Sequence, residues 1–427
     1  MVASRTRQVG GEGAVFGADA CSQSRIARLK RRVVRLGLAS APILSTLILS
    51  ALTSASGAAA RPAMDAGGNA GSHSAAQDHL RMSFGNSTSR ARAQALVFGI
   101  YPGGAAGTVG PSGPLKPENP ALRLGALQQL RPHRRPFVLH LYAGYTGAGG
   151  YSAKQQVGEQ IAAYGRAGFE TELALTYRPE DGGSSADVAG FADFVRTSVR
   201  SLADEPGFVS VQVTNEANMG GAPNASDGYY TGARDALIRG VIAARQVLHG
   251  DHHGRIKVGF NWAYDTDDAQ RAFWTYLGRA GGRRFVQAVD WVGLDAYPGT
   301  WGPGLGAGGL AEATARFMDV AFSRLRSTYL PLAGIPESVP LVVTENGYPT
   351  GQGRTQAMQV TVMRAAVTAV HRARREYNIT GYRWFDLRDA DSATPGFESQ
   401  YGLMHDDYSP KAAFQVYRGL VAQYDGR

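Results

Sequence analysis

Cysteine is almost absent from this chain. Of 427 residues only Cys21 carries a thiol, and it lies in a leader-like segment. Without it there is no disulfide framework, no thiolate nucleophile and no cysteine metal site. Clustered positive charge is also scarce once the first 60 residues are set aside. The formal net charge is +9, but residues 1–60 hold eight Lys or Arg against two acids, so residues 61–427 carry only about +3. No basic run interleaved with aromatics follows residue 60, and no nucleic-acid partner is expected. No lysine ends a strand-like run; Lys257 sits near the start of one, which leaves a Schiff-base enzyme without support. The glycine-rich stretch 302–309 is followed by no phosphate-holding lysine and reads as a flexible loop over a cleft.

What remains is an ordinary globular balance, 44% hydrophobic and 19% charged, long enough for one large core. At the N-terminus, Arg25, Arg28, Lys30, Arg31, Arg32 and Arg35 precede an apolar stretch from Leu36 to about Leu52 and the small-residue run Ser56-Gly57-Ala58-Ala59-Ala60. This order reads as a secretory signal over 1–60, cleaved after about Ala60, and implies a secreted protein with no stable membrane association. The alternative is an uncleaved anchor, against which the stretch is short and broken by serine. Residues 61–95, rich in Ala, Gly and Ser, read as a flexible linker.

From Leu96 a rhythm sets in. Short β-branched runs alternate with amphipathic helical stretches. The strand candidates are 96–101, 136–142, 170–176, 209–214, 256–261, 289–296, 341–344 and 381–387. Helical stretches such as 153–167, 186–202, 232–248, 308–329 and 355–377 separate them, and one near 410–421 closes the series. Eight β–α units over residues 96–427 predict an α/β fold of one catalytic domain, a (β/α)8 TIM barrel. A doubly wound sheet would use fewer strands and a glycine-rich first turn. Polar and aromatic residues crowd the strand ends, among them Tyr101, Tyr142, Asn215-Glu216, Asn261-Trp262, Asp295, Tyr297, Glu345-Asn346 and Trp384. Active sites of such barrels lie there.

Two of those ends deliver a glutamate. Val209–Thr214 leads into Asn215-Glu216, and Leu341–Thr344 leads into Glu345-Asn346-Gly347. In an eight-stranded ring, strands 4 and 7 can bring both carboxyls to one glycosidic bond. One must be protonated to donate to the leaving oxygen and the other ionised to attack or stabilise the anomeric carbon. The bland alternative for either glutamate alone is a surface-loop carboxylate.

With these residues in place the chain resembles the retaining glycoside hydrolases of clan A, the 4/7 superfamily, over about residues 96–424. In that clan an Asn-Glu pair ends strand 4 and a Glu ends strand 7, as Asn215-Glu216 and Glu345 do here. The resemblance implies Glu216 as acid/base, Glu345 as nucleophile and Asn215 as partner of the sugar 2-hydroxyl. It implies Tyr297 as hydrogen-bond donor to the nucleophile and Trp384 as floor of the subsite for the cleaved sugar. It further implies β-linked oligo- or polysaccharide substrates and neither metal nor cofactor. Tyr401-Gly402-Leu403-Met404 through Ser409-Pro410-Lys411 is similar to the clan's close before its last helix. Many clan members carry Arg near the end of strand 2 and His near the end of strand 3. Here those ends read His140-Leu141-Tyr142 and Thr176-Tyr177-Arg178.

Trp262, Trp301, Tyr142 and Tyr264 are candidate sugar-stacking platforms, with core or rim packing the equal alternative. His249, Asp251, His252 and His253 mimic metal ligands but enter a strand, which puts them on the barrel's far face as a solvated loop. A monomer is expected. The competing functional class is a carbohydrate-binding barrel without turnover, which has no need of two glutamates.

Overall fold

The computed structural model describes residues 96–104, 116–222 and 225–425. The expected leader and linker, 1–95, lie outside the described residues. Eight parallel strands close into a barrel in chain order: β1 (Val97–Ile100), β2 (Val138–Tyr145), β3 (Glu170–Tyr177), β4 (Phe208–Val213), β5 (Lys257–Ala263), β6 (Trp291–Asp295), β7 (Leu341–Asn346) and β8 (Ile379–Trp384). β1 pairs with β2 through Gly99 and Val138 and with β8 through Val97 and Gly381, so no sheet edge is left. All eight expected strands are present. β2 and β5 run on to Tyr145 and Ala263, whereas β8 stops at Trp384 rather than Leu387. Past Trp384 the chain leaves the ladder. The Phe385–Asp386 peptide is cis, and Leu387 N–H donates to the Tyr101 carbonyl at 3.0 Å.

The outer ring comprises α1 (Pro120–Leu130), α2 (Ala153–Arg166), α3 (Ser185–Leu202), α4 (Ala233–Gly250), α5 (Asp268–Tyr276), α6 (Gly282–Ala288), α7 (Leu310–Arg324), the single turn α8 (Leu330–Leu332), α9 (Gln356–Ala373) and α10 (Ala412–Tyr424). Side-chain caps fix several starts. Ser152 accepts from Gln155 N–H at 3.3 Å while the Gln155 amide oxygen accepts from Ser152 N–H at 2.9 Å, a reciprocal capping box for α2. Among the described residues no helix is long and apolar enough to cross a membrane.

Strand alternation sorts side chains into two layers. One set faces the helices. Trp262 packs against Trp274 of α5 at 6.1 Å between ring centres, and Trp384 against Tyr417 of α10 at 6.3 Å. The other set fills the barrel. His140 Nδ1 lies 3.0 Å and Arg383 Nε 3.5 Å from Glu172 Oε1, and Trp291 Nε1 donates to Ser210 Oγ at 3.0 Å. Burial alone would raise the Glu172 pKa, but Arg383 and His140 outweigh it and hold the carboxyl at about 2. Glycine makes room for this layer: a Cβ on Gly259 would sit 2.2 Å from the Trp291 ring. The interior is thus a packed floor, and chemistry is confined to the mouth.

Candidate active site

Two strand ends and one returning loop build the mouth. At the end of β4 the backbone departs from extended geometry: Thr214 has φ +65° and Glu216 has φ +50°. Left-handed φ is unfavourable for side chains other than glycine, at about 1–3 kcal/mol each, and persists only where the surroundings over-determine it. Here they do. Asp227 is fully buried, and its Oδ2 accepts from Asn215 N–H at 2.8 Å and Tyr177 N–H at 2.7 Å. The Ala225 carbonyl accepts from Asn215 Nδ2 at 2.9 Å and Arg178 Nη2 at 3.1 Å. Ser226 Oγ donates to Glu216 Oε2. From the neighbouring strand, Asn261 Oδ1 accepts from Glu216 N–H at 2.8 Å. Residues 225–227 therefore strap the Asn215-Glu216 pair onto the barrel rim.

Glu345 arrives on β7, where the pairing shifts register both against β6, at Leu294/Asp295, and against β8, at Val343/Asn346. Such irregularities re-aim side chains near functional sites. Tyr297 donates its hydroxyl to Glu345 Oε2 at 2.6 Å, and Tyr142 donates to Oε1. Both carboxylate oxygens are thus held. Below them Asp295 accepts from Thr344 Oγ1 at 2.6 Å and from Asn261 Nδ2. Glu216, Asp295 and Glu345 each offer an oxygen within 4.8 Å of the other two.

Burial and neighbouring charge raise several acids at the mouth. Burial first, then the Glu345 charge, pushes Glu216 up to about 8, against the opposing pull of Ser226. Burial, followed by the Glu345 and Glu216 charges, drives Asp295 well above the usual carboxylate range. Burial raises Asp227 to about 7, despite Arg178 and two backbone N–H donors. The two tyrosines on Glu345 are pushed far up, by burial and then by that charge, so both stay neutral donors. Each of the three central carboxyls already receives hydroxyl or amide donors. A cation would have to compete with them, and the donor set suits proton handling.

The cavity over these groups has a volume of about 660 Å³ and is lined by Glu216, Glu345, Asn215, Tyr297 and Tyr142, together with Tyr264, Trp301, Arg178 and Phe385. Five of the seven expected site residues therefore converge. Trp262 and Trp384 do not, and their expected sugar contacts are corrected. Both indoles are fully buried behind the barrel wall. Trp262 shares the parity of Val258 and Phe260, and its Nε1 donates to Gln270 of α5 at 2.7 Å. Trp384 shares the parity of Tyr382. The inward residue is its neighbour Phe385, which lines the cavity and stacks on Tyr101 at 5.0 Å. Tyr142 lines the cavity as expected, but its hydroxyl is committed to Glu345. Asn261, Ser226, Asp227 and Phe385 are site residues that no sequence motif marks. Strand parity would have found Asn261 and Phe385; no local signal marks residues 226 and 227.

The His249–His253 segment runs from the last turn of α4 into the connection to β5, at the opposite end of the barrel. Asp251 pairs there with Arg200 at 3.1 Å and His253 with Asp204 at 3.8 Å. Among the described residues this segment forms no cluster of three possible metal ligands.

Fold and site together define a (β/α)8 barrel with a two-glutamate centre at the C-terminal mouth. No protein-family model matches the chain, and no curated protein does. Among solved structures it is similar to a β-glucosidase from Exiguobacterium marinum (14% identity, TM-score 0.53, covering 79% of this chain and 99% of that one). It is similar to a family 39 glycoside hydrolase from Bacteroides cellulosilyticus (15%, 0.53, 78% and 64%). A fungal β-1,4-galactanase structure is also similar (13%, 0.52, 76% and 99%). At these identities the likeness establishes the shared barrel.

Proposed function

We propose that this chain is a retaining glycoside hydrolase acting on β-linked glycans by double displacement. One observation carries the reading: two glutamates, one just past β4 and one on β7, approach with oxygens within 4.8 Å, and burial with the Glu345 charge favours the neutral form of Glu216. Retaining enzymes hold their carboxyls about 5–5.5 Å apart, whereas inverting ones leave about 6.5–9.5 Å for a water. The close approach favours the former.

Glu345, held by two hydroxyl donors, attacks the anomeric carbon as a carboxylate. Glu216, neutral at rest, gives its proton to the departing glycosidic oxygen as that bond breaks. A covalent glycosyl-enzyme results. Glu216, now ionised, takes a proton from water, whose oxygen attacks the anomeric carbon and displaces Glu345. Asn215 and Phe385 line the space for the sugar. The leader pattern supports export, with a mature N-terminus near Arg61 and an enzyme meeting its glycan outside the cell.

The test is sugar release from β-linked polysaccharides and aryl β-glycosides, with Glu345→Ala in parallel and product anomers followed by NMR. Release with retained configuration, lost in the variant, is the expected result. Inverted product rejects retention. Activity surviving in Glu345→Ala rejects the nucleophile, and tight glycan binding without turnover favours a binding barrel.

A further inference from the structure

We propose that the cavity is the centre of a through-running groove that takes the interior of a β-linked polysaccharide chain, with Tyr151 and Trp301 as stacking platforms on opposite sides of the carboxylates. This rests on the hydrolase reading and adds to it the mode of attack, chain-internal rather than end-trimming.

The first observation is where the exposed aromatics lie. Among the described residues, five large hydrophobic side chains stand open to solvent. Two are aliphatic and sit on helices, Leu122 on α1 and Val320 on α7. The other three are aromatic, and all lie on connections at the barrel's C-terminal mouth: Tyr151 (74% exposed) between β2 and α2, Tyr229 (53%) between β4 and α4, and Trp301 (42%) between β6 and α7. Nothing about folding requires the catalytic face alone to carry exposed rings. A large ring left in water forfeits its burial energy, whereas the apolar C–H face of a sugar covers it and leaves the sugar hydroxyls solvated.

The second observation is continuity. β2 and β6 are four places apart in a ring of eight, so their loops face each other across the mouth. Trp301 lines the catalytic cavity on the β6 side, resting on Phe397 at 5.3 Å. On the β2 side a second hollow of about 400 Å³ adjoins it; Thr146 lines both, and Tyr151 lines the second. The floor between Thr146 and Tyr151 is Gly147-Ala148-Gly149-Gly150. A Cβ placed on Gly147 or Gly149 would meet no atom within 4 Å. The backbone itself calls for glycine, with φ +119° at Gly147 and +93° at Gly149, and the resulting lip carries no side chain larger than the Ala148 methyl. An end-trimming pocket needs a wall that stops the chain; among the described residues this lip raises nothing larger than a methyl where the chain would leave. Asp187 and Asp193, beside Phe194, give that hollow acceptors for sugar hydroxyls.

Aryl β-glycosides of glucose, galactose, mannose and xylose would be assayed beside mixed-linkage β-glucan, β-1,4-galactan, β-mannan and β-xylan. The expected result on the polymer attacked is a fall in viscosity well ahead of new reducing ends, with mid-length oligosaccharides appearing first. Tyr151→Ala and Trp301→Ala should each raise KM by about two- to tenfold, the worth of one stacking contact, with a loss that grows with chain length. Monosaccharide as the sole early product, or a loss independent of chain length, overturns the groove. Aryl-glycoside cleavage that needs Glu345 while all four polymers stay intact overturns it and leaves the hydrolase reading standing. Silence on every substrate, aryl glycosides included, removes the hydrolase reading and the groove with it.

Discussion

Ser226 donates its hydroxyl to the Glu216 carboxyl from the loop that returns over β4, and the next residue, Asp227, ties down the backbone of Asn215 just before that glutamate. One short segment therefore both places the acid and adjusts its protonation. The Ser226 bond favours the ionised form and so opposes burial and Glu345, which together raise Glu216 to about 8. Ser226→Ala removes the only one of these influences that comes from a neutral hydroxyl. The Glu216 pKa should rise by about one to two units, because a hydrogen bond to a charged group contributes about 1.5–3 kcal/mol and one unit is about 1.4 kcal/mol. The alkaline limb of the kcat against pH profile should move to higher pH. A limb that stays put would mean that Ser226 only packs.

Tyr297 acts on the other carboxyl. Its 2.6 Å bond to Glu345 Oε2 orients the oxygen that is to attack. Tyr297→Phe keeps the ring and removes the donor. Loss of a charge-assisted bond of about 1.5–3 kcal/mol corresponds to about a 10- to 150-fold fall in kcat if it is expressed at the transition state. KM should change little, since the ring still fills its place. A rise in KM at constant kcat would make Tyr297 a binding residue only.

The Glu216–Glu345 coupling has its own signature. Glu345→Gln removes a negative charge that raises Glu216. The Glu216 pKa must then fall below about 8, although its burial is unchanged. Carbon-13 NMR of labelled glutamate across pH 4 to 10 measures this directly. An unchanged midpoint would show that the Glu345 charge does not raise the acid.

Why the glutamates were legible and their supports were not follows from how each is encoded. A β-branched run that ends on a carboxylate is contiguous in sequence, so Asn215-Glu216 and Glu345 announce themselves, and so does the eightfold β–α rhythm. Ser226 and Asp227 reach the site only because the chain doubles back after β4, a path that no local pattern states. The two tryptophans misled for a different reason. They sit at strand ends, but alternation sends side chains to opposite faces at successive positions, and one step decides between cleft and core. Fixing parity needs one inward residue per strand. Arg383 supplies it on β8, since its bond to the Val97 carbonyl and its approach to Glu172 place it inside. Trp384 must then face outward and Phe385 inward.

Parity gives two adjacent aromatics opposite consequences. Trp384→Ala opens a void between β8 and α10 and should destabilise the fold by about 3–5 kcal/mol, visible as a lower midpoint in urea. Phe385 is half-buried at the cavity, so Phe385→Ala should affect stability less and weaken glycan affinity more. Comparable binding losses in both variants, each measured well below its unfolding midpoint, would restore Trp384 to the cleft.

The last consequence concerns stability against pH. Glu216, at about 8, and Asp227, at about 7, both titrate in the folded protein well above ordinary carboxyls. Between about pH 4 and 8 the folded chain therefore holds protons that the unfolded chain has released, so these groups make stability fall as pH rises. Their stabilising effect is complete below the unfolded values near 4, is lost as pH rises through 7 to 8, and changes no further above that. Opposite-signed groups such as Glu172, held at about 2, act only at lower pH. Thermal unfolding should therefore show Tm declining from pH 5 to pH 8. Glu216→Gln, neutral at every pH, should remove part of that slope and raise Tm at pH 8 more than at pH 5, while abolishing proton donation to the leaving group. A Tm difference between variant and parent that is the same at both pH values would mean that Glu216 titrates normally, and would withdraw it as the resting acid.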